Sequence, residues 1–114
     1  MAATTLNPPL GWHLVSEGNG TYSRETVTIA SGEGVLKAGT VLGKLAGGKY
    51  AAYDNAAADG SQTAVGILYD GVDATSADAD GVLIARHAEV VEAALTGLDA
   101  AGKTDLAALQ IIFR

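Results

Sequence analysis

Hydrophobic and polar positions alternate in short bursts along this chain and nowhere hold a helical period for long. In residues 25–29 (ETVTI), Val27 and Ile29 fall on one face and the threonines on the other, the two-residue period of a strand. Residues 64–69 (AVGILY) form an unbroken apolar run, which predicts a buried strand. Residues 82–86 and 89–91 predict two more strands, broken near His87, and Ile111-Ile112-Phe113 predicts a last one. The segment 34–45 (GVLKAGTVLGKL) sets Val35-Leu36 and Val41-Leu42 around Lys37-Ala38-Gly39, with Gly34 and Gly43 closing both sides. Glycines at that spacing interrupt helices and permit tight bends, so this stretch predicts a sharply bent β-ribbon. Ala46-Gly47-Gly48-Lys49 is a hairpin turn into a short strand over 50–53. Residues 54–62 and 70–80 are acidic, small-residue loops, and 93–97 fits neither period. Asp99 caps a short helix running to about residue 109, because its carboxylate accepts from the first free amides. Gly102 weakens that helix by about 1 kcal/mol relative to Ala. The pattern describes a mainly β domain of about seven short strands and one short helix. It lacks the strand–helix alternation of a doubly wound sheet and any fixed-period repeat.

The first 24 residues follow a different rule. They hold both prolines, the only Trp and the tripeptide Gly18-Asn19-Gly20. Pro8-Pro9 favours extended backbone and stops any helix. Leu10, Trp12 and Leu14 alternate with Gly11, His13 and Val15, again with the period of a strand. The expected organisation is an extended N-terminal arm over 1–24, poorly packed on its own domain, and a β domain over 25–114.

Composition narrows the function classes. Of the 114 residues, 48% are hydrophobic but only 5% aromatic, so the core is small and a partner or oligomer is expected to supply part of the stability. The formal charge of −6 sets up repulsion from free nucleic acid and anionic membranes. With no cysteine, disulfide frameworks and thiolate metal sites are excluded. No apolar run approaches the roughly 20 residues that span a bilayer. The N-terminus has neither the basic nor the apolar region of a secretion signal. The expectation is therefore no membrane and no direct nucleic-acid contact.

Candidate chemistry is sparse. Neither His13 nor His87 has a second ligand at metal-motif spacing, and His87 reads as a polar residue at a strand break or subunit contact. The acidic loops, with Asp54, Asn55 and Asp59 in one and Asp70, Asp73, Asp78 and Asp80 in the other, miss the calcium-loop pattern and read as solvated surface. Gly43-Lys44 lacks the glycine spacing and the following Ser or Thr of a phosphate loop, and no Gly-x-Ser-x-Gly elbow occurs. Lys37 lacks the sequence context of a lysine that carries biotin or lipoate. Expected catalytic, cofactor and metal residues are accordingly none, and the chain is not read as an enzyme.

In order, residues 23–45 (SRETVTIASGEGVLKAGTVLGKL), 48–54 (GKYAAYD), 59–74 (DGSQTAVGILYDGVDA) and 85–90 (ARHAEV) resemble the lambda-type head decoration proteins of tailed phages, also called the head-stabilising protein D type. The resemblance covers roughly residues 23–114. It implies a β-clip-like incomplete barrel with little helix. It further implies a capsid cement protein: a homotrimer on the outer surface of the expanded head, at three-fold and quasi-three-fold sites, resisting the pressure of packaged DNA. The implied partner is the major capsid protein, reached by the arm. The implied location is the outside of the virion head, after synthesis in the host cytoplasm. The arm sequence PPLGWHLV does not match the lambda protein residue by residue. Its alternation suits strand addition to a sheet edge of the shell, with Leu10, Trp12, Leu14 and Tyr22 as the capsid-binding residues. The alternative is a β-clip binding module for a small ligand or partner protein, since LKAGTVLGK also resembles such modules.

Overall fold

Val27 and Ile29 are buried and Thr26 is exposed, so the alternation in ETVTI becomes a strand with one face inward. The computed structural model describes Leu14–Glu17 and residues 23–114. Within them the strands are β1 (Leu14–Glu17), β2 (Arg24–Ile29), β3 (Gly34–Leu36), β4 (Val41–Lys44), β5 (Tyr50–Ala52), β6 (Ala64–Leu68), β7 (Val72–Ala74), β8 (Ala79–Ile84), β9 (Ala88–Val90) and β10 (Ile111–Phe113). A 3-10 turn (Glu92–Ala94) and one helix, α1 (Ala100–Ala107), lie between β9 and β10. The described residues are mainly β with one short α-helix, as the pattern predicts.

Five strands form a barrel in the order β2-β5-β4-β6-β8. Its strongest seam is the antiparallel β2–β8 ladder, running from Arg24↔Ile84 to Ile29↔Ala79. Its weakest is β2–β5, paired in parallel only at Ile29↔Tyr50. There the Ala30 N–H donates to the Tyr50 carbonyl at 2.8 Å. Beyond that point β2 turns away, and the Glu33 carboxylate accepts the Ala52 N–H at 2.9 Å in its place. A side chain thus completes the seam that backbone pairing leaves short, because a buried amide without a partner is costly.

The bent ribbon over 34–45 is resolved into two strands that do not pair with each other. β3 pairs with β7, and β4 lies between β5 and β6. The bend carries the chain from the two-stranded sheet into the barrel wall. Gly39 makes the corner at φ 94°, a left-handed conformation that a side chain disfavours. Its N–H donates to the Leu68 carbonyl at 2.8 Å, and the Thr40 hydroxyl donates to the Lys37 carbonyl at 2.7 Å. Strand β7 lies inside what the sequence presents as the loop 70–80. A three-residue strand with Asp73 at its centre carries no legible period. The stretch 93–97 contains the end of the 3-10 turn.

Two clusters make the core. Val27, Ile29, Leu36, Leu42, Leu68 and Leu83 form one; Val41, Ile67, Ile84, Val90, Leu106 and Ile111 lead the other. Strands β4, β6 and β8 each send adjacent residues into both: Val41 and Leu42, Ile67 and Leu68, Ile84 and Leu83. The apolar run AVGILY follows from this, since a strand covered on both faces needs no polar side. Helix α1 closes over the second cluster with Leu106, and its Asp105 carboxylate accepts the Ala64 N–H at 3.0 Å.

The loop 54–62 crosses β4 at Gly43, next to an irregularity in the β4–β6 register. A Cβ on Gly43 would lie 2.5 Å from the Ser61 Cα, and backbone there has no free volume to yield. Gly43→Ala is expected to lower stability by about 3 kcal/mol through overpacking. Gly47→Ala, where a Cβ meets nothing within 4 Å, should leave the urea midpoint unchanged. Equal midpoints for the two variants would show that the crossing loop gives way.

Candidate functional site

The second cluster is roofed by a three-stranded sheet in the order β1-β9-β10. β9 is central. It pairs antiparallel with β1 (Leu14↔Val90, Ser16↔Glu89, Glu17↔Ala88), with the register shifting between Leu14 and Ser16. It pairs in parallel with β10 (Ile111↔Ala88, Ile112↔Glu89, Phe113↔Val90). Alternation assigns the two faces. Ala88, Val90 and Ile111 point into the core, while Glu89, Ile112 and the following Val91 and Arg114 face outward. Ile112 is 50% exposed and Val91 37%. Between them the Arg114 Nε donates to the Glu89 Oε1 at 2.9 Å. The outer face therefore sets two exposed aliphatics around an ion pair, a mixed surface of the kind that docks a partner.

β1 ties this sheet to the arm. Part of the expected arm, Leu14–Glu17, pairs with the domain's own β9. Among the described residues β1 is an outer strand of this sheet and pairs with β9 alone. Of the four arm residues singled out by sequence, Leu14 lies in this strand. Leu10, Trp12 and Tyr22 lie outside the described residues, as does His13. The sequence reading did not single out Val91 and Ile112. The two-residue period of β10 is the signal that separates Ile112 from the buried Ile111.

His87 lies at the break between β8 and β9 with φ 50°. Its N–H donates to the Leu109 carbonyl at 3.2 Å, and its carbonyl accepts the Ser23 hydroxyl at 2.9 Å. Those bonds make it the pivot of a turn. The acidic loops use their carboxylates to fasten backbone and neighbouring side chains. Asp59 Oδ1 accepts the Ser61 hydroxyl at 2.6 Å and N–H at 3.0 Å, and Asp73 Oδ1 does the same with Thr75 at 2.6 Å and 3.1 Å. Asp78 accepts from Lys49 at 2.7 Å and from the Ser31 N–H at 2.9 Å. These bonds hold all three carboxyls below the usual range. Among the described residues no three His, Asp or Glu side chains converge on one point.

A family model described as Bacteriophage lambda head decoration protein D matches residues 3–111. The chain belongs to this family. The match begins inside the arm, so it takes in the part of the chain beyond the resemblance carried by 23–114. No curated protein and no solved structure matches the chain. Membership makes this a structural protein of the phage capsid, with capsid decoration as its role.

One half-buried polar contact couples this decoration domain to pH. The Tyr53 hydroxyl donates to Asp99 Oδ1 at 2.8 Å, and the same oxygen accepts the Gly102 N–H at 2.7 Å, capping α1. The Gly102 N–H, then the Tyr53 hydroxyl, hold the Asp99 carboxyl below its ordinary value. Burial, then the Asp99 carboxylate, push the Tyr53 hydroxyl from 10.0 up to about 12. The raised group contributes stability below pH 10.0 that is lost as pH rises toward about 12. The lowered Asp99 contributes stability above the ordinary carboxylate range that is lost on acidification. Tyr53→Phe is expected to cost about 1 kcal/mol at neutral pH and to abolish the tyrosinate absorbance step near pH 12. An unchanged alkaline titration would refute the assignment.

Proposed function

We propose that this protein binds the expanded phage head as a homotrimer, on its outer surface at three-fold and quasi-three-fold sites, and stabilises the shell against packaged DNA. It is made in the host cytoplasm and acts on the assembled head. The observation that carries the proposal is the family match over residues 3–111, which includes the arm. The net charge of −6 suits an outer surface better than one facing DNA.

The arm and the sheet β1-β9-β10 form the proposed contact with the major capsid protein. Residues upstream of β1 continue its strand period, and an added strand forms main-chain hydrogen bonds while Trp12 fills a pocket as anchor. Leu10, Leu14 and Tyr22 supply further apolar contact. Ordering each arm residue costs about 1–2 kcal/mol, so backbone pairing and Trp12 burial are both required. Three arms on one trimer raise affinity by roughly 10²–10⁴ over a single arm.

Cosedimentation with expanded and unexpanded heads tests the proposal. The full chain should sediment with expanded heads, and cryo-electron microscopy should place it over the three-fold positions. Removing residues 1–13 leaves β1 in place and should abolish binding without moving the urea midpoint. Trp12→Ala should weaken binding at least tenfold, and Ile112→Asp about tenfold, the loss of roughly 1.5 kcal/mol of aliphatic burial. A truncated protein that saturates heads with unchanged affinity would overturn the role of the arm. A monomer on the particle would overturn the trimer.

A further inference from the structure

We propose that Asp70-Gly71 is a spontaneous isomerisation site, at which the chain converts through a cyclic imide to an isoaspartyl linkage. Three Asp-Gly pairs occur: Asp59-Gly60, Asp70-Gly71 and Asp80-Gly81. Glycine after aspartate leaves the following nitrogen unhindered by a side chain, so sequence alone marks all three equally. The structure separates them.

Asp80 and Gly81 lie within β8, held in the ladder opposite Thr28 and Val27. Backbone fixed in an extended ladder does not fold into a five-membered ring. In the second pair the groups are engaged elsewhere. The Gly60 N–H donates to Gln62 Oε1 at 2.8 Å, and Asp59 Oδ1 accepts from the Ser61 N–H and hydroxyl. At Asp70-Gly71 the two reacting groups already meet. The Gly71 N–H donates to Asp70 Oδ1 at 2.8 Å, which folds the carboxyl back onto the next residue's nitrogen. The pair sits in the bend between β6 and β7, outside any ladder, with Asp70 exposed to water. Gly71 is not among the residues held at positive φ.

The chemistry balances without an oxidant or cofactor. The Gly71 nitrogen attacks Cγ of Asp70 in its carboxylic acid form. The N–Cγ bond forms, the nitrogen loses its proton, and the carboxyl hydroxyl leaves as water. Solvent water then opens the ring at either carbonyl. Opening at the main-chain carbonyl leaves the chain linked through Cγ, with no net change in mass. The product inserts an extra backbone carbon just ahead of β7, whose Val72 pairs with Leu36 of β3. The two-stranded sheet at that end of the barrel loses its register first.

The test ages the intact protein at neutral pH and body temperature. Isoaspartate is then measured by methyltransferase labelling and placed residue by residue with electron-transfer fragmentation. The expected result is isoaspartate at Asp70 severalfold above Asp59 and Asp80, with faster amide exchange in β3 and β7 of the aged fraction. In urea the three sites should become equal, because the folded backbone is what distinguishes them. Gly71→Ala should slow the reaction severalfold. Asp70→Glu, which keeps the charge, should remove it at this position. Isoaspartate from Asn19-Gly20 is told apart by its position and by the mass gain of deamidation. Equal accumulation at the three sites in folded protein, a lead by Asp59 or Asp80, or no accumulation at Asp70 would overturn the proposal.

Discussion

Ile67 and Leu68 are neighbours on β6, point to opposite sides, and are both fully buried. Most of the molecule serves to keep them so. A strand wall apolar on both faces needs two covers, and the chain supplies them from different regions. The barrel closes on itself around Leu68, Leu42 and Leu83. The helix and the sheet β1-β9-β10 lie over Ile67, Val41 and Ile84. With so few aromatic side chains, neither core is large, and the two share one wall of strands β4, β6 and β8.

This arrangement explains why the proposed docking elements and the stable core are one piece. β9 buries Ala88 and Val90 against the barrel wall and presents Glu89 outward. β1 is held to β9 by backbone pairing, so a load applied to the arm passes through main-chain hydrogen bonds into the roof of the second core. For the proposed stabilising role, a directly hydrogen-bonded path transmits force better than a flexible tether. The weak points lie elsewhere, at the single-residue β2–β5 pairing and at the β3–β7 pair. Glu33 reinforces the first by standing in for missing backbone.

The acidic character of the chain acquires a structural meaning at the same time. Asp59, Asp73 and Asp78 fasten turns by accepting from nearby amides and hydroxyls, and Asp99 caps α1 while receiving Tyr53. Short loops between short strands need such fastenings, because each exposes backbone donors that the strands do not satisfy. The negative charge is thus partly a by-product of how the turns are built.

Adjacent residues alone specified the local elements with strong signals. The alternation of Val27 and Ile29 gave β2, the run AVGILY gave β6, Asp99 set the start of α1, and Ile111-Ile112-Phe113 gave β10. The order of these segments also carried the family, which the match over 3–111 shows. Which strand pairs with which was set by the folded core. β7 was illegible because its three residues centre on Asp73, inside an acidic run of small residues. The bent ribbon was legible as a bend, but its strands take their partners from β7, β5 and β6 rather than from each other. The period of β10 separates Ile112 from Ile111, but its pairing with β9 sets Ile112 beside Glu89. Local conformation is written in adjacent residues, whereas pairing depends on which distant apolar faces bury one another, and short strands leave that choice to the assembled core.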